Sequence, residues 1–487
     1  MRIVKKKNKI LYLFVIFFVF FARALYTEPI ESGSDPLEKW NYVLNFWNQY
    51  ENFLLNHHTM RWAVNFWGVL VVSLFGPAPS SYYLSTLLFY SLGYTILFYF
   101  FTMFAPRWSY LTFLIFIFYE PMMFRASSQF QPIVFGFTYL TLCYLFYFFW
   151  ANSKKNYFLF LSAFSLFCAY GAKESYIYFL PGFFLFLCLK NGTKIAIQFF
   201  LIYTLFFTIE FGLFNFLSDK FLILGRLSAI LSTHIPGGGA DRGLVYLDYV
   251  RMWSSMSWFN IIAVLLSLGF FTVRLLSKKI SEIPTPVLAF CLMFMSYLLC
   301  NMTLIVNFDS MLTSQGPFIK YLAVAMPFAS FTAIGFLVVK IEELENRTLR
   351  KICISSTAIG TSVFITCQLL FGIGPKYTHQ HIEYPAGSFY ILKIDSQYRQ
   401  MAQWVEDGNG VYTNSLIKGR TLKSLLGHFV NLNVISLNKV PNHGYLICLS
   451  ELDLDSLKQI KDYNFSVSDF YSLPIKEWPP RKDQSSS

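Results

Sequence analysis

The chain has 487 residues, 55% of them hydrophobic and 14% charged, with a mean hydropathy of +0.46. Soluble domains carry about 25% charged residues, so an ordinary soluble enzyme and a disordered chain are both excluded; the 56 Phe and 31 Tyr suit lipid-facing and interfacial surfaces instead. The net charge of +12 does not signal nucleic acid, because the basic residues stand in small groups between apolar runs, as topology signals do.

A membrane-spanning helix takes roughly 20 apolar residues. The apolar runs predict eleven spans: 9–26, 81–104, 107–124, 132–152, 156–172, 175–190, 194–218, 256–276, 284–306, 319–340 and 352–373. The first run follows MRIVKKKNK and has no clear small-x-small cleavage site, so it reads as a span rather than a removed leader. With a cytoplasmic N-terminus, seventeen Lys and Arg fall in inner segments and nine in the longer outer segments ahead of the tail. An odd span count then places the tail outside. None of the eight cysteines pair up in outer loops, so no disulfide framework is predicted.

Between the first two spans lies a long outer segment, 27–80. It opens with EPIESGSDPLEKW, which carries Asp35 and Glu38. Trp40, Leu44, Trp47, Tyr50 and Leu54 then recur at helical spacing and predict an amphipathic helix along the membrane interface. The apolar part of the next stretch, 62–76, is short for a span and ends in Gly-Pro-Ala-Pro, which fits a re-entrant or interfacial helix. A second outer loop covers 219–255. In the tail, DSQYRQMAQWVEDG, TLKSLLGHF and SELDLDSLKQIKDY read as helices, and GVYTN, NVISL and GYLICLS as strands. The expected class is an all-α polytopic membrane protein, with a membrane domain over 1–373 and a small extramembrane α/β domain over 376–487.

Several ionisable residues gather near the outer membrane edge. Asp35 suits a general base or a metal ligand, and equally a solvated loop acid. Glu38 lies one helical turn on, where an acid also complements a helix dipole. His57, His58 and Arg61 end the interfacial stretch; adjacent histidines diverge on a helix and no third ligand is at hand. Arg61 reads as a phosphate binder or an interfacial anchor. Glu120 and Arg125 flank Pro121 at another outer edge, and Lys173 with Glu174 stand in YGAKESY. HIPGGGADRG contains Arg242, but no GK[ST] follows, so it is not a P-loop. Lys320 opens the tenth span, where it either binds phosphate or snorkels. HQH at 379–381 has too few ligands for a metal motif. Glu210 alone sits deep in an apolar run.

Taken together, SGSDPLEKW, HHTMRWAVNFWGVLVVSLFG, YGAKESYIYFLPG and KYLAVAMPFASFTAIG resemble segments of the GT-C glycosyltransferases. The resemblance covers most of 1–373 and points to bacterial members similar to the protein O-mannosyltransferases and the aminoarabinose lipid A transferases. It implies transfer of a sugar from a polyprenyl-phosphate carrier, with inversion, outside the membrane. Asp35 would serve as base, or orient the acceptor hydroxyl. The family often has Asp-Glu where this chain has Asp35-Pro36, which leaves Glu38 as a substitute. An acid is common near the start of the fourth span, where this chain has Gln131, so dependence on a divalent metal is left open. Arg61, Lys173, Arg242 and Lys320 would hold the donor phosphate, with His58, Glu120, Arg125 and Glu174 as further candidates.

The partners implied are a polyprenyl-phosphate-linked sugar, a lipid, glycan or protein acceptor, and membrane lipids. The expected location is a bacterial inner membrane, with the tail periplasmic. Two other classes stay open at this point. A polysaccharide polymerase or ligase also has many spans and a large outer loop, but calls for more outer Arg than this chain carries. A lipid-linked glycan transporter or flippase calls for ionisable residues deep in the spans, inverted repeats or broken helices.

Overall fold

The computed structural model describes residues 9–24, 27, 35–49, 57–106, 108, 123, 126–217, 226, 258–303, 305–307, 312–313 and 322–371, together with three short strands in the tail. The helices are α1 (Lys9–Ala24), α2 (Asp35–Leu44), α3 (Trp62–Phe75), α4 (Pro79–Phe104), α5 (Pro132–Ser153) and α6 (Asn156–Ala172). They continue with α7 (Phe179–Asn191), α8 (Thr193–Leu217), α9 (Trp258–Leu276), α10 (Thr285–Thr303), α11 (Met326–Glu342) and α12 (Arg347–Phe371).

Among the described residues, α4, α5 and α8 are long and apolar enough to cross a membrane by length and composition. Shorter apolar helices run over Ile10–Ala24, Trp62–Phe75, Asn156–Ala172, Asn260–Leu276 and Thr285–Asn301. The helices also carry unpaired apolar faces. Phe14, Phe17 and Phe21 on α1 are exposed, as are Leu201, Ile209 and Phe216 on α8, the last at 86%. Such faces suit hydrocarbon rather than water. This is an integral membrane protein.

Inside, α5 runs along α6, α7 packs on α10, α9 on α11, and α4 on both α1 and α5. Phe290 of α10 stacks on Phe328 of α11 with centroids 5.0 Å apart, and meets Tyr144 of α5 at 5.0 Å and Phe100 of α4 at 6.1 Å. This aromatic knot joins four helices, each pair adding about 0.5–1.5 kcal/mol beyond simple burial. Elsewhere small residues set the spacing. A carbon added at Gly182 of α7 would stand 2.2 Å from the backbone oxygen of Leu292 on α10. Backbone cannot step aside as a side chain can, so Gly182→Ala should cost about 1–3 kcal/mol. A lower thermal midpoint of the purified protein would show it. Gly212→Ala, where the added carbon meets open space, should leave the midpoint unchanged or raise it.

Local chemistry explains where elements start and stop, including where they depart from expectation. Pro79 and Pro132 sit in the first turns of α4 and α5, where the missing N–H costs nothing. Within the span expected over 319–340, a turn at 323–325 precedes α11, which starts at Met326 with Pro327 in its first turn. The span expected over 175–190 starts with a tight 3₁₀ turn, Glu174–Tyr178, and α7 proper has 13 residues. Pro181 must lie in a first turn, which sets that start. The run expected to stay helical to 306 ends at Thr303, and Ile305–Asn307 (β1) pairs antiparallel with Leu312–Thr313 (β2).

The interfacial helix is interrupted at Asn45. Asn45 donates its side-chain amide to Asn41 O at 2.7 Å, a local bond that competes with the helix ladder. After it comes a single turn, Phe46–Gln49. Trp40 is fully buried, whereas Trp47, expected on the same stripe, is 72% exposed. The short apolar helix expected over 62–76 is α3, 14 residues or about 21 Å long. It packs on α2, α4 and α6 as well as facing outward. The span expected over 107–124 falls almost entirely outside the described residues.

In the tail, β3 (Val411–Thr413) lies between β4 (Leu432–Val434) and β5 (Tyr445–Ile447), parallel to both. Parallel strands need crossovers between them. The helices expected between them lie outside the described residues.

Candidate functional site

The site begins at the start of α3. Asn65, in the first turn, donates its side-chain amide to the carbonyls of His58 and Thr59 at 2.9 and 3.0 Å. The backbone N–H groups of Val64 and Asn65 donate to Arg61 O. These bonds fold the 57–60 turn back on the helix and fix Arg61 at its entrance. Arg61 is buried, and its Nη2 donates to Glu174 Oε1 at 3.2 Å.

Glu174 reaches that point because α6 ends sharply. Lys173 is extended, at φ −157° and ψ 130°, and the 3₁₀ turn follows at once. Lys173 and Glu174 are both buried, in a connection outside the helical spans. Burial pushes the Glu174 carboxyl up, but Arg61, Arg226 and Lys173 together outweigh it and bring it down to about 2. Glu174 is therefore a carboxylate at neutral pH.

A second limb comes from α8. Glu210 Oε1 accepts the indole N–H of Trp62 at 2.7 Å and Nε of Arg226 at 3.0 Å. Arg226 Nη2 donates to Tyr170 O at 2.8 Å, and its guanidinium lies over the Tyr170 ring, 4.3 Å from the centroid. Trp62 in turn lies flat against Gly171, where an added carbon would come within 2.4 Å of Cζ2. Only glycine admits the indole at that point.

Among the described residues the cluster thus holds three cations, Arg61, Lys173 and Arg226, against two carboxylates, Glu174 and Glu210. Arg61 Nε, Glu174 Oε2, Ser175 Oγ and Arg226 Nη1 are buried with no hydrogen-bond partner among the described residues. Buried polar atoms are nearly always satisfied, and Arg donors in a fixed fork match phosphate oxygens. Excess positive charge with unused donors, in a site of low dielectric, suits an anionic oxygen-rich group.

Asp35 is the first residue of α2 and Glu38 lies one turn on; the positions of their carboxylates lie outside the described residues. Their helix is firmly seated. Trp40 packs edge-on against Tyr82 and Phe130, at 5.3 and 5.2 Å. Val43 abuts Gly68 of α3, where an added carbon would stand 2.8 Å from its Cγ2. The helix that begins at Asp35 is thus packed on the helix that begins just after Arg61.

His58 is buried in the turn ahead of Arg61, its ring 3.8 Å from that of His57. Among the described residues no group of three or more His, Cys, Asp or Glu is placed to hold a metal ion. Glu120, Arg125, Arg242, Lys320 and the histidines at 379 and 381 lie outside the described residues. Of the expected set, the structure brings together Arg61 and Glu174, with Lys173 beside them. Sequence reading missed Trp62 and Arg226. Its one signal for this limb was Glu210, an acid in an apolar run. It also passed over Arg23, at the end of α1, which is buried and donates to Ser127 Oγ at 2.6 and 3.1 Å.

No protein-family model and no curated protein matches the chain. Solved structures do. ArnT from Cupriavidus metallidurans in the apo state is similar at 15% identity, over 87% of this chain and 85% of that one, with a TM-score of 0.46. ArnT from the same organism bound to undecaprenyl phosphate is similar at 12% identity, over 88% and 86%, with a TM-score of 0.47. The oligosaccharyltransferase of Archaeoglobus fulgidus in the apo form is similar at 10% identity, over 89% of this chain and 65% of that one, with a TM-score of 0.44.

Proposed function

We propose that this protein is a GT-C-type membrane glycosyltransferase. It transfers a sugar from a polyprenyl-phosphate donor to a lipid, glycan or protein acceptor on the outer side of a bacterial inner membrane. The observation that carries this reading is the buried Arg61–Glu174 pair beside Lys173, at the start of α3 and the end of α6. A lipid-linked donor accounts for a cationic site at the end of an apolar bundle, since the prenyl chain stays in hydrocarbon while its phosphate meets the cations.

In this reading Asp35 takes the proton of the acceptor hydroxyl as its oxygen attacks the anomeric carbon, with Glu38 as the substitute for that role. The new C–O bond forms as the bond from that carbon to the phosphate oxygen breaks, with inversion. The electron pair leaves with the polyprenyl phosphate. Arg61 and Lys173 stabilise the growing charge on the phosphate, where preorganised donors act most strongly. Arg242 and Lys320 are further cations toward the same group. Glu174 holds Arg61 in place and keeps the surplus of charge small enough to bury.

The test is lipid mass spectrometry of polyprenyl-phosphate sugars in cells with and without the gene. One monosaccharide carrier should accumulate without the protein and clear with the wild type. Arg61→Gln should leave it uncleared, since losing one donor to a transition-state charge costs about 10²–10³ in rate. An unchanged carrier pool in all three strains would overturn the reading.

A further inference from the structure

We infer that Glu210 is a positioning residue of this site, holding Arg61 and Lys173 toward the donor phosphate through Trp62 and Arg226. The inference rests on the reading of Arg61 as a phosphate-binding residue. Glu210 stands on α8 seven residues before its end at Leu217, or about 10 Å. An ionised carboxylate at that depth is costly, and no step of the proposed transfer uses it. Its geometry gives it a different task. One oxygen, Oε1, accepts from two donors at once, and each donor leads to one flank of the cationic pair.

The first flank runs through Trp62. It follows Arg61 directly, and its ring is pinned between Glu210 and the bare face of Gly171. A ring held at both points tethers the backbone at Trp62, and with it the adjoining Arg61, to α8 and α6. The second flank runs through Arg226, which grips Tyr170 O three residues before Lys173, near the end of α6. Arg226 lies far from α3 in sequence, yet it is fully buried here and bonded to α8 and α6 together. Without Glu210, α3 and α6 would lose their shared anchor on α8.

The experiment uses the full-length protein in lipid nanodiscs and undecaprenyl phosphate as the probe. Affinity and thermal midpoint are measured for wild type, Trp62→Phe, Arg61→Gln and the double variant. Trp62→Phe keeps an aromatic ring but removes the N–H. It should weaken binding roughly tenfold and lower the ligand-free midpoint modestly, as the loss of one bond to a charged group does. The two losses should not add, because Trp62 acts through Arg61: in the Arg61→Gln background Trp62→Phe should change affinity less than twofold. A purely structural role would show the full tenfold loss in both backgrounds. Glu210→Gln with Arg226→Gln keeps an amide oxygen for Trp62, and so the Arg61 flank, but removes both buried charges and the Lys173 flank; it should bind more weakly than wild type and more tightly than the pair of leucine replacements. Glu210→Leu with Arg226→Leu removes the acceptor and should bind no better than Trp62→Phe. The inference is overturned if Trp62→Phe binds within twofold of wild type while Arg61→Gln does not, or if the losses add. It is also overturned if the Gln pair and the Leu pair bind alike. Should Arg61→Gln itself bind like wild type, the phosphate reading fails first, and this inference with it.

Discussion

Glu174→Gln is expected to destabilise the protein by about 3–5 kcal/mol at neutral pH, the range for removing one partner of a buried ion pair. The amide would leave Arg61, Lys173 and Arg226 close together with one carboxylate fewer to face. The pH dependence gives the effect a signature. The folded-state carboxyl titrates at about 2, below its ordinary 4.5, because the three cations outweigh burial. A depressed carboxyl contributes its full stability above about pH 4.5, and loses it as the pH falls from there toward 2. The gap in thermal midpoint between wild type and Glu174→Gln should therefore be constant from pH 8 to pH 5 and close progressively below that. Melting curves in nanodiscs at pH 7 and pH 3 check this directly. A gap unchanged at pH 3, or absent at pH 7, would show that the carboxylate does not stabilise the fold by its charge.

Much of this architecture was legible in hydropathy and punctuation. Expected spans at 81–104, 132–152 and 194–218 correspond to helices at Pro79–Phe104, Pro132–Ser153 and Thr193–Leu217. Long apolar runs leave few alternatives, and Pro marks where two of these start, which is why they read well. Boundaries governed by a single local contact did not. Asn45 interrupts a helix whose stripe otherwise continues, and Pro327 sets the start of α11 inside an apolar run. Packing was not legible either. In a membrane, apolar residues face both lipid and protein, so the run containing Gly182 does not reveal that its backbone touches that of Leu292.

The candidate site shows the same division. Arg61, Lys173 and Glu174 stood out because charge is rare in this chain. Their pairing spans more than a hundred residues and has no period to announce it. Arg226 was one basic residue among several in an outer loop, and only the fold shows it buried against Tyr170. Glu210 stood out as a deep acid, a feature otherwise expected of a transporter. Its bonds to Trp62 and Arg226 give it a role in holding this site together.

Asp35→Asn should lower the rate of transfer by about 10²–10⁴, the usual contribution of a positioned general base, while leaving affinity for polyprenyl phosphate unchanged. Asparagine keeps the size and suits a helix start as well as aspartate does, so α2 should remain seated through Trp40 and Val43. What it loses is the ability to take a proton. Arg61→Gln provides the contrast: it should weaken binding of the phosphate as well as slow transfer, because its charge meets the donor both before and during bond breaking. Glu38→Gln separates the two acids. Glu38 stands one turn further along α2, and Pro36 occupies the position after Asp35 where the resembling enzymes often carry a second acid. If Glu38→Gln loses the larger factor, the base is Glu38 and Asp35 serves the helix. Single-turnover transfer from a polyprenyl-phosphate sugar in nanodiscs, with binding measured in parallel, distinguishes these outcomes. Transfer by Asp35→Asn within tenfold of wild type would remove Asp35 from the chemistry.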